Sequence, residues 1–164
     1  MEFKKISSKS QIGNEPAYLI DSEEKEIRRI LDTLKAQNKK PEIAVLGRDE
    51  EFNRRAIETL KINYLVSPEI QGKDTLKQRG SGLNHYLVKE AAKKNISIVI
   101  DFDSIKKLDK DEKTKRLARV IQNIKLCRKA KCKIIIWSST ATKYDLQALG
   151  FSLGMSSQQV SIAL

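Results

Sequence analysis

The sequence predicts an α/β fold built on a mainly parallel sheet. Three observations point there: short continuous apolar runs, amphipathic helical periods between them, and regular alternation of the two along 164 residues. Continuous apolar runs suit strands buried on both faces, so the expected sheet carries helices on either side.

The elements follow in order. Phe3 to Ile6 reads as an opening strand and Ala17-Tyr18-Leu19-Ile20 as a buried one. Asp21, with Glu24 three residues later, fits a helix cap before the stripe Ile27, Ile30, Leu31, Leu34. Pro41 closes that unit. Ile43-Ala44-Val45-Leu46 is the next strand, with a turn at Gly47 and a helix bearing Phe52, Ala56, Ile57 and Leu60. Tyr64-Leu65-Val66 leads through a long loop to a helix with Leu83, Leu87, Val88 and Ala91. Ile96 to Phe102 is a strong strand, followed by a helix with Leu117, Val120, Ile121, Ile124 and Cys127. Ile134 to Trp137 then runs through Ser138-Ser139 into a helical stretch ending near Leu153-Gly154. A full (β/α)₈ barrel needs roughly 200 residues or more. Six units therefore predict an open sheet or a reduced barrel, as one domain over residues 1–164.

Composition narrows the function classes. No apolar run nears the length of about 18 residues that spans a membrane, and no signal peptide opens the chain, so a cytoplasmic protein is expected. Cys127 and Cys132 lack CxxC spacing and read as reduced thiols. Thirty-two Lys+Arg against 21 Asp+Glu give +11, which points to a polyanion, with RNA or DNA ahead of an anionic membrane.

Candidate chemistry is sparse. The single histidine, His85, cannot supply a metal-hydrolase ligand set, and a hydrogen bond to a nearby loop would explain it. Asp101 and Asp103 lie two apart at a strand end, where they could share a divalent ion or simply pair with lysines and start a turn. Ser138 and Ser139 lack a second histidine as base. Arg79-Gly80-Ser81-Gly82 before a helix could cradle a phosphate, or only permit a tight turn. From Lys106 to Lys133, twelve basic residues face three acidic ones, which favours a phosphate-binding helix surface.

Beyond chemistry, Gly82-Leu83-Asn84-His85 after Val66-Ser67-Pro68 resembles protein component 3 of archaeal ribonuclease P, related to the thirty-kilodalton subunit of the eukaryotic enzyme. Asn53-Arg54-Arg55-Ala56-Ile57-Glu58, Lys93-Lys94-Asn95, Trp137-Ser138-Ser139, Leu149-Gly150 and Leu153-Gly154-Met155 are similar to further family segments in the same order. Departures are Gly80 where an Asp is usual, a missing Pro-Arg-Asp stretch that leaves Asp145 unassigned, and ends that lack the family's first strand and final helix.

The resemblance implies a reduced or incomplete TIM-barrel-like fold and a noncatalytic subunit. In that family's enzyme the RNA cuts precursor tRNA at its 5′ end with magnesium, and component 3 pairs with component 2. On this reading the chain has no catalytic residue, metal ligand set or bound cofactor of its own. Its expected RNA contacts are Arg79, Lys93, Lys94, Lys115, Arg116 and Arg119, then Arg54 and His85 on the matching motifs. The alternatives are a small metal-dependent phosphoesterase using Asp101, Asp103 and His85, and a basic interaction module whose charge only keeps it soluble.

Overall fold

A six-stranded, all-parallel sheet frames the computed structural model, which describes residues 3–76 and 79–162. Strands β1 (Lys4–Ile6), β2 (Ala17–Ile20), β3 (Glu42–Leu46), β4 (Tyr64–Val66), β5 (Ser97–Asp101) and β6 (Ile134–Trp137) lie side by side in chain order. Every neighbouring pair is parallel, in registers such as Val45↔Leu65 and Val99↔Ile135. The helices are α1 (Glu24–Ala36), α2 (Glu50–Thr59), α3 (His85–Lys93), α4 (Phe102–Lys106), α5 (Lys110–Ala130), α6 (Lys143–Ser152) and α7 (Ser157–Ile162). All six expected strands are present. The short α4 and α7 carry no long apolar stripe and were not expected.

Strand order that advances one step at a time puts every right-handed crossover on the same side. Side chains agree. Ile6, Tyr18, Ile20, Val45, Leu65, Ile98, Ile100 and Ile136 share one core with Ile27, Ile30, Phe52, Ile57, Leu87, Val88, Val120 and Ile124 from the helices. The alternate strand positions Ala44, Val66, Val99 and Ile135 form a separate cluster, packed by Phe3, Leu19, Leu46, Tyr64 and Trp137, with no helical residue in it. This corrects the expectation of helices on both faces. The apolar runs are continuous because the inner side of a curling sheet is itself apolar, as in the interior of a barrel. The sheet stays open, with β1 and β6 as edges that have no further strand beside them among the described residues.

Local chemistry sets the helix starts. Asp49 Oδ1 accepts from Phe52 N at 2.8 Å, Asn84 Oδ1 from Leu87 N at 3.0 Å, and Asp109 Oδ1 from Asp111 N and Glu112 N. Each such cap contributes about 1 kcal/mol. Asp21 is not a cap: α1 starts after Glu23, and Asp21 pairs with Lys5 at 2.9 Å and approaches Arg48 at 3.9 Å. Its position directly behind β2 leaves it on the sheet's rim, two residues short of the N-cap Glu23.

The long β4–α3 connection is held by Asn53, which is fully buried on α2. Its Oδ1 accepts from Arg48 N, and its Nδ2 donates to the carbonyls of Arg48, Pro68 and Gly82 at 3.0–3.1 Å. Gly82 has φ +75, and a Cβ there would sit 1.9 Å from the Pro68 oxygen. Only glycine allows that approach.

Candidate nucleic-acid interface

In parallel α/β folds, ligands gather at the carboxyl ends of the strands. Here that end is polar, but its groups hold one another. Asp103 accepts from Ser138 Oγ at 2.5 Å, Ser139 N at 2.6 Å and Ser139 Oγ at 2.7 Å, and pairs with Lys106 at 2.6 Å. Lys106, then the two serines, hold its carboxyl well below the usual range. Asp101 instead accepts from Ser104 N at 3.2 Å and caps α4. The two carboxylates part because β5 ends at Asp101 and Asp103 already lies in α4, where the period of two no longer applies. Among the described residues no three His, Cys, Asp or Glu side chains gather as a metal site would require. The grouping of Asp101, Asp103 and His85 expected for a phosphoesterase is therefore not assembled.

Beneath this network lies a buried ion pair. Glu69 is fully buried, and Arg116 Nε donates to its Oε1 at 3.1 Å while Nη2 donates to Ser104 Oγ at 3.0 Å. Burial pushes the Glu69 carboxyl up, with Arg116 pulling the other way. Ser67 beside it has φ +48, a strained conformation for a residue with a Cβ, and its Oγ accepts from Asp101 N at 3.1 Å.

The expected RNA contacts fall into separate groups. Arg79, exposed, and Lys115 line one shallow cavity of about 440 Å³ over α5. Lys115 pairs with Glu112 at 3.0 Å, which raises its pKa, whereas Arg79 enters no ion pair among the described residues. Arg119 is nearly covered and donates to Asp74 Oδ1 at 3.0 Å, and the same oxygen takes Gly80 N at 2.9 Å. The Gly80 amide thus serves the loop itself and is not held open for a phosphate. Arg116 departs from its expected place on the surface, because its turn of α5 faces Glu69 and Ser104 in the core.

Arg54 is exposed on α2 and pairs with Glu58 at 3.1 Å. Lys93 is exposed at the end of α3 and pairs with Glu90 at 2.6 Å. Lys94 caps α2 from outside, donating to Ile57 O at 2.9 Å and Glu58 O at 2.5 Å. His85 is the first residue of α3 and exposed, and among the described residues it has no hydrogen bond to the loop. Exposed apolar side chains are Leu76, Tyr86, Tyr144 and Phe151, the last two spaced two turns apart on α6.

At the opposite end of the sheet, the connections before β3 and β4 build a groove that sequence reading missed. It is about 510 Å³, floored by Leu31, Leu34, Ile43 and Leu60, and edged by Arg28, Lys35, Lys39, Lys40 and Lys61 with Asp32 the lone acid. It continues past Thr59, Leu60, Lys61 and Asn63 into a second hollow bordered by Lys94. Arg28 is held by Glu24 and Thr59, and Lys39 donates to Gly13 O. Lys35, Lys40 and Lys61 are exposed and have no hydrogen-bond or ion-pair partner among the described residues.

The sequence profile of the RNase P subunit p30 family matches residues 19–164. The chain belongs to this family. Curated relatives include ribonuclease P protein component 3 of Methanococcoides burtonii, 29% identical over 136 residues, covering 79% of this chain and 54% of that protein. Component 3 of Methanocaldococcus jannaschii is 27% identical over 113 residues, covering 69% of this chain and 46% of that one. The chain thus spans about half the length of the curated relatives it matches. A chain in a cryo-EM structure of archaeal ribonuclease P with mature tRNA superposes with a TM-score of 0.69 at 24% identity, over 88% of this chain and 63% of that one. That likeness shows the fold, and it fits a partial TIM-barrel-like sheet.

The family's motifs fall mainly on structural positions here. Asn53, Pro68, Gly82 and Asn84 lock the β4–α3 connection, while Arg54, His85 and Lys93 sit outside it on the surface. Among the described residues no helix is long and apolar enough to cross a membrane.

Proposed function

We propose that the chain is a noncatalytic protein subunit of ribonuclease P, which binds and supports the catalytic RNA in 5′ maturation of precursor tRNA. The observation that carries this reading is unneutralised positive charge on a chain of this family. Among the described residues Lys35, Lys40 and Lys61 enter no ion pair along the groove, and Arg79 enters none over α5. Lysine and arginine side chains so placed contact phosphates without reading bases, which is what supporting a folded RNA requires.

On this reading residues 1–164 act as one component 3-like unit in the cytoplasm, beside component 2 and the other protein components. Magnesium serves the RNA catalyst and is not held by the chain. Arg79, Lys115, Arg54, His85, Lys93 and the groove lysines are the surface groups available to RNA. Arg116 and Arg119 support the surface from below, through Glu69 and Asp74.

The test is reconstitution. The cognate RNA, this chain and component 2 are combined at low magnesium and precursor-tRNA cleavage is followed, each protein being omitted in turn. Cleavage that needs both proteins, with none from the chain alone, is the expected result. Cleavage unaffected by the chain, with phosphoester hydrolysis by the chain and a metal in the absence of RNA, would replace this reading with the phosphoesterase.

A further inference from the structure

The end of α5 brings together two thiols that RNA binding does not use. Lys131 is left-handed, with φ +56, and two backbone bonds close around it. Cys132 N donates to Cys127 O at 2.9 Å and Lys131 N donates to Arg128 O at 3.3 Å. These are the six-to-one and five-to-two bonds of a Schellman motif, which presses together the side chains at its first and last positions. Here those positions are Cys127 and Cys132. Both side chains are buried, the Cys132 thiol donates to Ile96 O at 3.6 Å, and neither cysteine is in a disulfide.

The surroundings suit thiol chemistry. Both residues border a cavity of about 160 Å³ whose other walls include Arg128, Lys131, Lys133 and Gln159. The neighbouring Cys127 lowers the Cys132 thiol below its ordinary value, while Cys132 and burial raise Cys127. Cys132 is also the less deeply covered of the two and follows the helix in the cavity wall, so it takes the part of nucleophile and Cys127 the part of the residue that closes on it.

We propose that Cys127 and Cys132 form a reversible dithiol–disulfide couple, an oxidation site whose bridge staples the end of α5 to the start of β6. With a small-molecule disulfide as oxidant, the Cys132 thiolate attacks one of its sulfurs, the S–S bond breaks, and one thiolate leaves. Cys127 then gives its proton to water and attacks the Cys132 sulfur, releasing the second thiolate. Two protein thiols are oxidised and one disulfide is reduced to two thiols. The turn's backbone bonds already bring the two residues together at the end of α5. Both otherwise buried residues line that cavity, which is the route a small disulfide would take to them.

The test exposes the reduced, folded chain at neutral pH to oxidised glutathione and follows intact mass and alkylation. The expected product has lost the mass of two hydrogen atoms, offers no thiol to alkylating reagent, and reverts with dithiothreitol. Cys127→Ser should stop at a single glutathione adduct on Cys132. Circular dichroism checks that wild type and variant are folded. Two thiols still open to alkylation after exposure would overturn the proposal, as would a wild-type chain that accumulates the glutathione adduct without closing.

Discussion

The two ends of the sheet handle charge in opposite ways. At the carboxyl end, where α/β folds usually hold their chemistry, the central charges are paired, Asp103 with Lys106 and two serines, Glu69 with Arg116, Asp21 with Lys5, and Arg79 is the exposed charge over α5. At the amino end, the groove edge carries five cations against one acid, and three of the cations have no ion-pair partner among the described residues. A site that must meet a charged partner keeps charge in reserve, whereas paired charge mostly fixes structure. The comparison sets charge that fixes structure at the usual catalytic end against a concentration of free charge at the other.

The comparison can be broken first at the buried pair. Arg116→Met leaves Glu69 without its cation in the core and should cost about 3–5 kcal/mol of stability, read from urea unfolding. Glu69→Leu added to it should recover most of that loss. A near-wild-type Arg116→Met that instead binds RNA poorly would move Arg116 from architecture to contact.

A smaller effect is expected at Asp103. Its folded pKa is depressed, so its stabilisation is present above the unfolded value of about 3.9 and is lost as pH falls toward the folded value. Glu69 works with the opposite sign, its raised pKa favouring the folded state at low pH. Asp103→Asn should therefore cost about 1–3 kcal/mol near neutrality and converge on wild type in acid, measured as thermal unfolding across pH. A constant difference at every pH would show that the carboxylate's charge is not what holds Ser138 and Ser139.

The smallest effect sharpens the contrast on the surface. Arg79→Ala should leave stability unchanged and reduce the salt slope of RNA binding by about one. An unchanged slope would remove the α5 cavity from the interface.

Much of this was legible in the sequence, and what was not has physical reasons. Strands and long helices announce themselves by period, as in Ile27, Ile30 and Leu34 or Ile98 and Ile100. The inner face was misread because Ala44, Val66 and Val99 are as apolar as residues packed under helices, and one sequence cannot say what covers them. Arg116 sits among surface lysines in the chain, and only the fold shows that Glu69, 47 positions earlier, meets it. The groove was invisible for a related reason. Lys35 ends α1, Lys40 lies before β3 and Lys61 before β4, and none belongs to a basic run like that of residues 106–133. Sequence displays charge that is consecutive, whereas the fold displays charge that converges.

The central claim is that the reserve of charge at the amino end of the sheet meets RNA. Its most direct test is the salt dependence of binding to the cognate ribonuclease P RNA for wild type and for Lys40→Glu with Lys61→Glu. The account expects a folded variant with weaker binding and a log–log salt slope shallower by about two. A folded variant with wild-type affinity and slope would contradict it.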